Sequence, residues 1–262
     1  MPRRIVDISV APTAGKRSDP PHMLPTIEYV DHHQTAALMA QQMGVPVSAL
    51  PEGEYAAVER VTLSTHNGTH LDAPYHYFSR MNERTVPGGE PSWRIDEVPL
   101  DWCFNPGVKL DFRHLPDGHV VTAAEVEAEL ARIGHVLSPM EIVLVNTRAG
   151  SRYGQEDFLD SGCGMGREAT LYLVERGIRV VGTDGWSWDA PFSHTARRVK
   201  ETGDASLIWE GHRVGRDIAY CHMEKLSNLE ALPATGFTVA CFPVKVHRGS
   251  AGWCRAVAIL DQ

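Results

Sequence analysis

The sequence holds no CxxC pair, no excess of positive charge, no internal repeat and no low-complexity tract. It also has no apolar run approaching the roughly 20 residues that span a bilayer. Each absence removes a class. The five cysteines (Cys103, Cys163, Cys221, Cys241 and Cys254) are odd in number and unpaired in spacing. That argues against a disulfide framework or a zinc knuckle and fits buried thiols in a reducing cytoplasm. Lys and Arg total 25 against 33 Asp and Glu, a formal net charge of -8. A non-specific nucleic-acid binder carries the opposite sign, so no nucleic-acid partner is expected. Without an apolar run, no membrane partner is expected either. The opening stretch from Met1 to Ser9 reads as a first strand rather than a signal peptide. Hydrophobic residues at 43% and charged residues at 22% lie near the globular average, which excludes disordered and fibrous architectures.

Histidine is what the chain has in plenty: 13 in 262 residues, about 5% and roughly twice ordinary usage. Four chemically useful residues fall within one short window, His66-Asn-Gly-Thr-His70-Leu-Asp72-Ala-Pro-Tyr-His76. Gly68 and Pro74 argue against a helix, so a strand running into a tight loop fits better. His70 and Asp72, two apart, then share one face of an extended segment, and a sharp turn at Gly68 returns His66 to the same point. Two imidazoles and a carboxylate suit a zinc or manganese site with an open position, leaving His76 to move protons.

The surrounding pattern is that of one α/β domain over residues 1–262, with mixed sheets. Strands are expected at Ile5–Val10, Ala57–Ser64 (half-buried by its alternation), Gly107–Phe112, Glu141–Thr147, Ile178–Thr183, Phe237–Lys245 and Trp253–Leu260. Helices are expected at Thr35–Met43, from the capping box at Thr122 to near Gly134, and at Gly166–Gly177. Residues 135–183 thus form a strand–helix–strand unit. The proline-rich stretch 11–27 reads as an irregular surface excursion. Trp186, Trp188 and Phe192 follow a strand; they suit either an aromatic wall for a flat substrate or an ordinary core or subunit interface. Asp184 and Asp189 fit a role orienting histidines or, for Asp189, a simple turn. Three weaker features point to little. His32-His33 suits a cap, the glycine run 162–166 lacks phosphate-loop spacing, and Ser187 and Cys163 lack nucleophile signatures.

The 66–76 window matches every fixed position of HxGTHxDxPxH and so resembles the metal-dependent cyclase-like hydrolase family, which includes bacterial kynurenine formamidase and isatin hydrolase. Ile5-Val-Asp-Ile-Ser, the stretch from Leu173 to Asp184, Phe242-Pro-Val-Lys and the stretch from Cys254 to Leu260 resemble further parts of it. The resemblance implies a swivelling β/β/α fold, a divalent ion (Mn or Zn) bound by His66, His70 and Asp72, and acid–base work by His76. In two-metal members a His and a Glu twelve residues apart complete the site; His212 and Glu224 have that spacing and, with Asp72, would hold a second ion. The family implies a homodimer or homotetramer and hydrolysis of a C–N amide in a small molecule, either an isatin-like lactam or an arylformamide. A non-hydrolytic cyclase or lyase and a non-catalytic metal binder are the alternatives. Two departures bear on substrate: a longer segment before the signature, without the formamidases' substrate-lining tryptophan, and an unusually aromatic 184–189.

Overall fold

The computed structural model describes residues 3–261; Met1 and Pro2, part of the opening stretch read as a strand, lie outside it, as does residue 262. Nine strands build the main sheet: Arg3–Asp7 (β1), His70–Asp72 (β2), Phe104–Asp111 (β3), Ile142–Asn146 (β4), Val180–Thr183 (β5), Cys221–Glu224 (β6), Phe237–Ala240 (β7), Ala251–Trp253 (β8) and Val257–Asp261 (β9). Their spatial order is β1-β9-β7-β3-β4-β5-β6-β2-β8. The four central strands, β3 to β6, are parallel, and every flanking pair is antiparallel.

The sheet has to curl. At about 4.8 Å per strand, β8 and β9 would stand roughly 34 Å apart in a flat sheet. Only residues 254–256 join them, which reach no more than about 14 Å. Closure is visible in the hydrogen bonds: Ser227 N–H donates to Ile8 O at 3.0 Å, and Val10 N–H donates to Thr69 Oγ1 at 2.8 Å. Period-two alternation then sorts the side chains. Leu71, Ile142, Leu144, Met223 and Val239 fill the inside of the curl, together with Cys103, Cys221, Cys241 and Cys254. Val143, Val145 and Val181 point outward against Val126, Leu130, Leu173 and Val174.

Those outer partners come from helices. His32–Met43 is α1, Pro74–Tyr77 is α2, Ala123–Arg132 is α3, Arg167–Glu175 is α4, Phe192–Thr202 is α5 and Val214–Asp217 is α6. The expected capping box at Thr122 and Glu125 starts α3, and β4–α4–β5 is the expected parallel unit. Helix α1 begins earlier than expected because Asp31 accepts from the N–H groups of His33 and Gln34, which places His32 and His33 in its first turn.

Three expectations are corrected. Val58–Thr62 is not half-buried: it pairs only with Thr26–Val30 in an exposed two-stranded ribbon, and all five of its residues are exposed. The closing strand expected over 253–260 divides at Cys254–Ala256, where the chain leaves β2 and joins β1 and β7. The stretch 11–27 does not simply run over the surface, since Ser18 and Asp19 are buried.

Candidate active site

Strands β2 and β6 lie antiparallel with Asp72 opposite His222 and His70 opposite Glu224. Leu71 and Met223 take the inner face, so all four polar side chains emerge together on the outer one. Upstream of β2 the chain turns at Gly68, whose φ of +61° is costly for residues with a Cβ. The turn brings His66 Nδ1 to 2.9 Å from Asp72 Oδ1. His70 Nδ1 bonds the Gly68 carbonyl at 2.9 Å; a carbonyl only accepts, so the proton sits on Nδ1 and the Nε2 lone pair is free. That Nε2 lies 3.4 Å from Asp72 Oδ1 and 3.6 Å from Glu224 Oε2.

From the far side, His212 Nε2 lies 4.0 Å from Glu224 Oε1, and its Nδ1 is held by Asp189, which also accepts the N–H groups of Gly211 and His212. Of the two roles open to Asp189, orienting a histidine or forming a simple turn, the structure shows the first. Asp184 does not orient a histidine; it accepts from Thr147 N and Oγ1 instead. His76, on α2, puts Nε2 3.8 Å from Asp72 Oδ2. The donor atoms fall into two overlapping groups, Asp72–His212–His222–Glu224 and His66–Asp72–His76, joined at Asp72.

His222 is the member that reading the sequence missed. Its Nε2 stands 3.1 Å from Asp72 Oδ2 and 3.2 Å from Glu224 Oε1, and its Nδ1 meets Tyr77 Oη at 3.0 Å. Its ring stacks between Tyr77 (centroids 5.0 Å) and Trp188 (6.0 Å). The signal was present in Cys-His-Met-Glu, a strand whose polar residues are two apart, as in His-Leu-Asp.

These donors fit a cation. Among the described residues, His70 Nε2 and both Asp72 carboxylate oxygens are buried without a hydrogen-bond partner. Leaving such groups unsatisfied costs about 1–3 kcal/mol each. Electrostatics point the same way. Burial works against ionising Asp72, but the surrounding His76, His70 and His66 hold its carboxyl well below the usual carboxylate range. Burial likewise opposes ionisation of Glu224, yet the His222 hydrogen bond brings it down to about 2. Burial disfavours charge on His222, but the Asp72 and Glu224 carboxylates beside its Nε2 push it up to about 9. His66 is raised: the Asp72 carboxylate outweighs its burial. His76 goes the other way, down to about 4, because burial dominates and His66 and His212 add repulsion.

A cavity of about 220 Å³ opens onto the cluster, lined among others by Asp19, Trp186, Phe192, Trp209 and Lys225. Of the two readings open for them, Trp186 and Phe192 fit the aromatic wall: both line the cavity, edge to face at 5.0 Å. Trp188 does not: its side chain is 1% exposed, with Nε1 bonded to Thr170 Oγ1 at 3.0 Å, so its role is to pack His222. Trp209 takes its place, stacked on His212 at 4.6 Å and 9°. Trp209 has a φ of +55°, a strained backbone for a bulky residue and a kind of strain that clusters at functional sites. The N-terminal stretch roofs the cavity. Lys225 Nζ donates to Asp19 Oδ1 (2.6 Å) and to the His66 carbonyl (2.7 Å), Trp186 Nε1 donates to Asp19 Oδ1 (3.1 Å), and Asn67 Nδ2 donates to Met23 O (2.9 Å).

A curled mixed sheet with paired His/Asp/Glu donors on its outer face, beside a cavity, defines a class of α/β proteins with a metal-suited centre. The chain belongs to the putative cyclase family, whose model matches residues 6–190. It is 23% identical over 208 residues to a kynurenine formamidase of Erythrobacter litoralis (strain HTCC2594), covering 79% of each chain. In fold it matches an isatin hydrolase solved with the product analogue thioisatinate (TM-score 0.74, 21% identity, 99% of this chain and 93% of that one). It also matches isatin hydrolase A of Labrenzia aggregata, solved with benzyl benzoate (TM-score 0.73, 22% identity, 99% and 94%). Among the described residues no helix is long and apolar enough to cross a membrane.

Proposed function

We propose that the chain is a metal-dependent hydrolase of C–N amide bonds in a small molecule, with residues 1–262 acting as one domain. The observation that carries this reading is the set of buried, unpartnered donor atoms of His70 and Asp72 at the edge of a cavity. His66, His70 and Asp72 would hold one divalent ion. Asp72, His212 and Glu224 would hold a second, with His222 as a further donor to it. Zinc and manganese both suit imidazole and carboxylate ligands. A divalent ion held there polarises a carbonyl oxygen and makes water acidic enough to attack near neutral pH.

The protein's own groups do the rest. His76, brought down to about 4 in the metal-free protein, is neutral at pH 7 and has a lone pair free; it would take the proton of the attacking water and pass it to the departing nitrogen. Asp189 keeps His212 in one orientation. Trp186, Phe192 and Trp209 offer flat apolar walls that suit an aromatic or cyclic amide, such as an isatin-like lactam. An arylformamide is the second substrate reading, favoured by the kynurenine formamidase relative. The five buried free thiols suit a cytoplasmic protein, and the family resemblance suits a homodimer or homotetramer.

The test is a screen of isatins, cyclic imides and N-formyl aromatics with metal-analysed protein, before and after chelation, in ¹⁸O-labelled water. Label entering the product only when metal is present supports hydrolysis. Turnover without label would point to a lyase or cyclase, and turnover untouched by chelation would remove the metal from the account.

A further inference from the structure

Beside the site lies a second cavity of about 380 Å³. Its walls are Ala190, Phe192, Ala196, Val199, Ile208 and Trp209, with Asp189 and Thr195 the polar groups at the base and the exposed Lys200 at the rim. Phe192, Ala196 and Val199 recur at i, i+4 and i+7 of α5, so they form one apolar stripe. Thr195 is the only buried residue of that helix, and Phe192 and Ile208 are each 46% exposed. The stripe therefore faces open space rather than core. Phe192 and Trp209 line this cavity and the catalytic one alike, and Asp189 reaches from its base to His212.

We propose that this groove is the outer half of the substrate site and receives an apolar arm, alkyl or aryl, attached to the amide that reacts at the donor cluster. The inference rests on the hydrolase reading above and narrows it to amides with an extended apolar substituent. A compact formamide or unsubstituted lactam would leave the groove empty. Continuity is the argument: the same two aromatic rings bound both spaces, and no core residue of α5 competes for the stripe.

The test uses metal-reconstituted protein and straight-chain hydroxamic acids of two, six and eight carbons, titrated calorimetrically. All three carry the same metal-chelating head and differ only in the arm. Burying a methylene is worth about fourfold in affinity, so burying even two of the six added from two to eight carbons is expected to give a gain of at least about tenfold. Ala196→Trp, which fills the groove without touching the donor cluster, should abolish that gain and leave the two-carbon affinity unchanged. Val199→Asp, which puts charge on the wall, should do the same. Affinity independent of length would overturn the proposal, as would a length dependence surviving both variants. A groove covered by a second copy of the chain would also overturn it, and would show as length-independent binding with Ala196→Trp splitting the oligomer. Failure of every hydroxamate to bind metal-loaded protein would instead count against the hydrolase reading itself.

Discussion

His70→Ala deletes a donor whose Nε2 has no partner other than the ion it is suited to bind, so loss of both metal and activity is expected. His76→Ala should keep the metal, by elemental analysis, and lose about 10²–10⁴ in kcat, the usual worth of acid–base assistance. A fully active His76→Ala protein would contradict the role given to it. His222 makes a pH prediction. In the metal-free protein it keeps its proton up to about 9, whereas a ligand imidazole is neutral. Ion binding should therefore release protons, and affinity should climb from pH 6 to 9, readable by competition titration. For folding the sign is the reverse. The folded pKa exceeds the unfolded 6.5, so the stabilisation is complete below 6.5 and lost as pH rises through 9. The raised His66 acts in the same direction. The metal-free protein should lose Tm between pH 7 and 9.5, and His222→Gln should flatten that loss.

At the scale of elements, the site is two short antiparallel strands and a roof. The N-terminal stretch is fastened by the Asp19–Lys225 pair, both partners with 1% side-chain exposure. Breaking a buried pair from one side costs about 3–5 kcal/mol because a charge is left uncompensated. Lys225→Met should show that loss in chemical denaturation, and Asp19→Asn combined with Lys225→Met should recover much of it. Equal stability of the single and double variants would show that the pair does not hold the roof.

Much of this was legible in the sequence. The i, i+2 spacing put His70 and Asp72 on one face, Gly68 explained the return of His66, and the capping box located α3. Pairing was not legible, because β2 and β6 are about 150 residues apart in the chain and period-two patterns do not say which strand adjoins which. His222 was missed for that reason, and nothing local decides between wall and core for Trp188, because the sequence does not reveal that His222 lies behind it. The roof was hidden as well: a proline-rich stretch looks irregular whether or not one aspartate in it is buried.

For the whole molecule, closure of the sheet sets the terms. Inside the curl is an apolar core with four cysteines, and the reactive donors sit on the outer face, where a cavity reaches them. An ion that binds the folded chain alone adds about 2.7 kcal/mol at a hundredfold excess over Kd. For a chain of this size that is about 5–10 °C in Tm. Chelation should lower Tm by that amount, and zinc or manganese should restore it. Unchanged melting after complete chelation would mean that the ion does not stabilise the fold.

The most direct measurement is an anomalous-scattering map from crystals of the metal-loaded protein. A peak is expected within bonding distance of the Asp72 carboxylate and of His66 and His70, with any second peak between Asp72, His212 and Glu224. A map with no peak at Asp72, or with metal bound only elsewhere, would contradict that assignment.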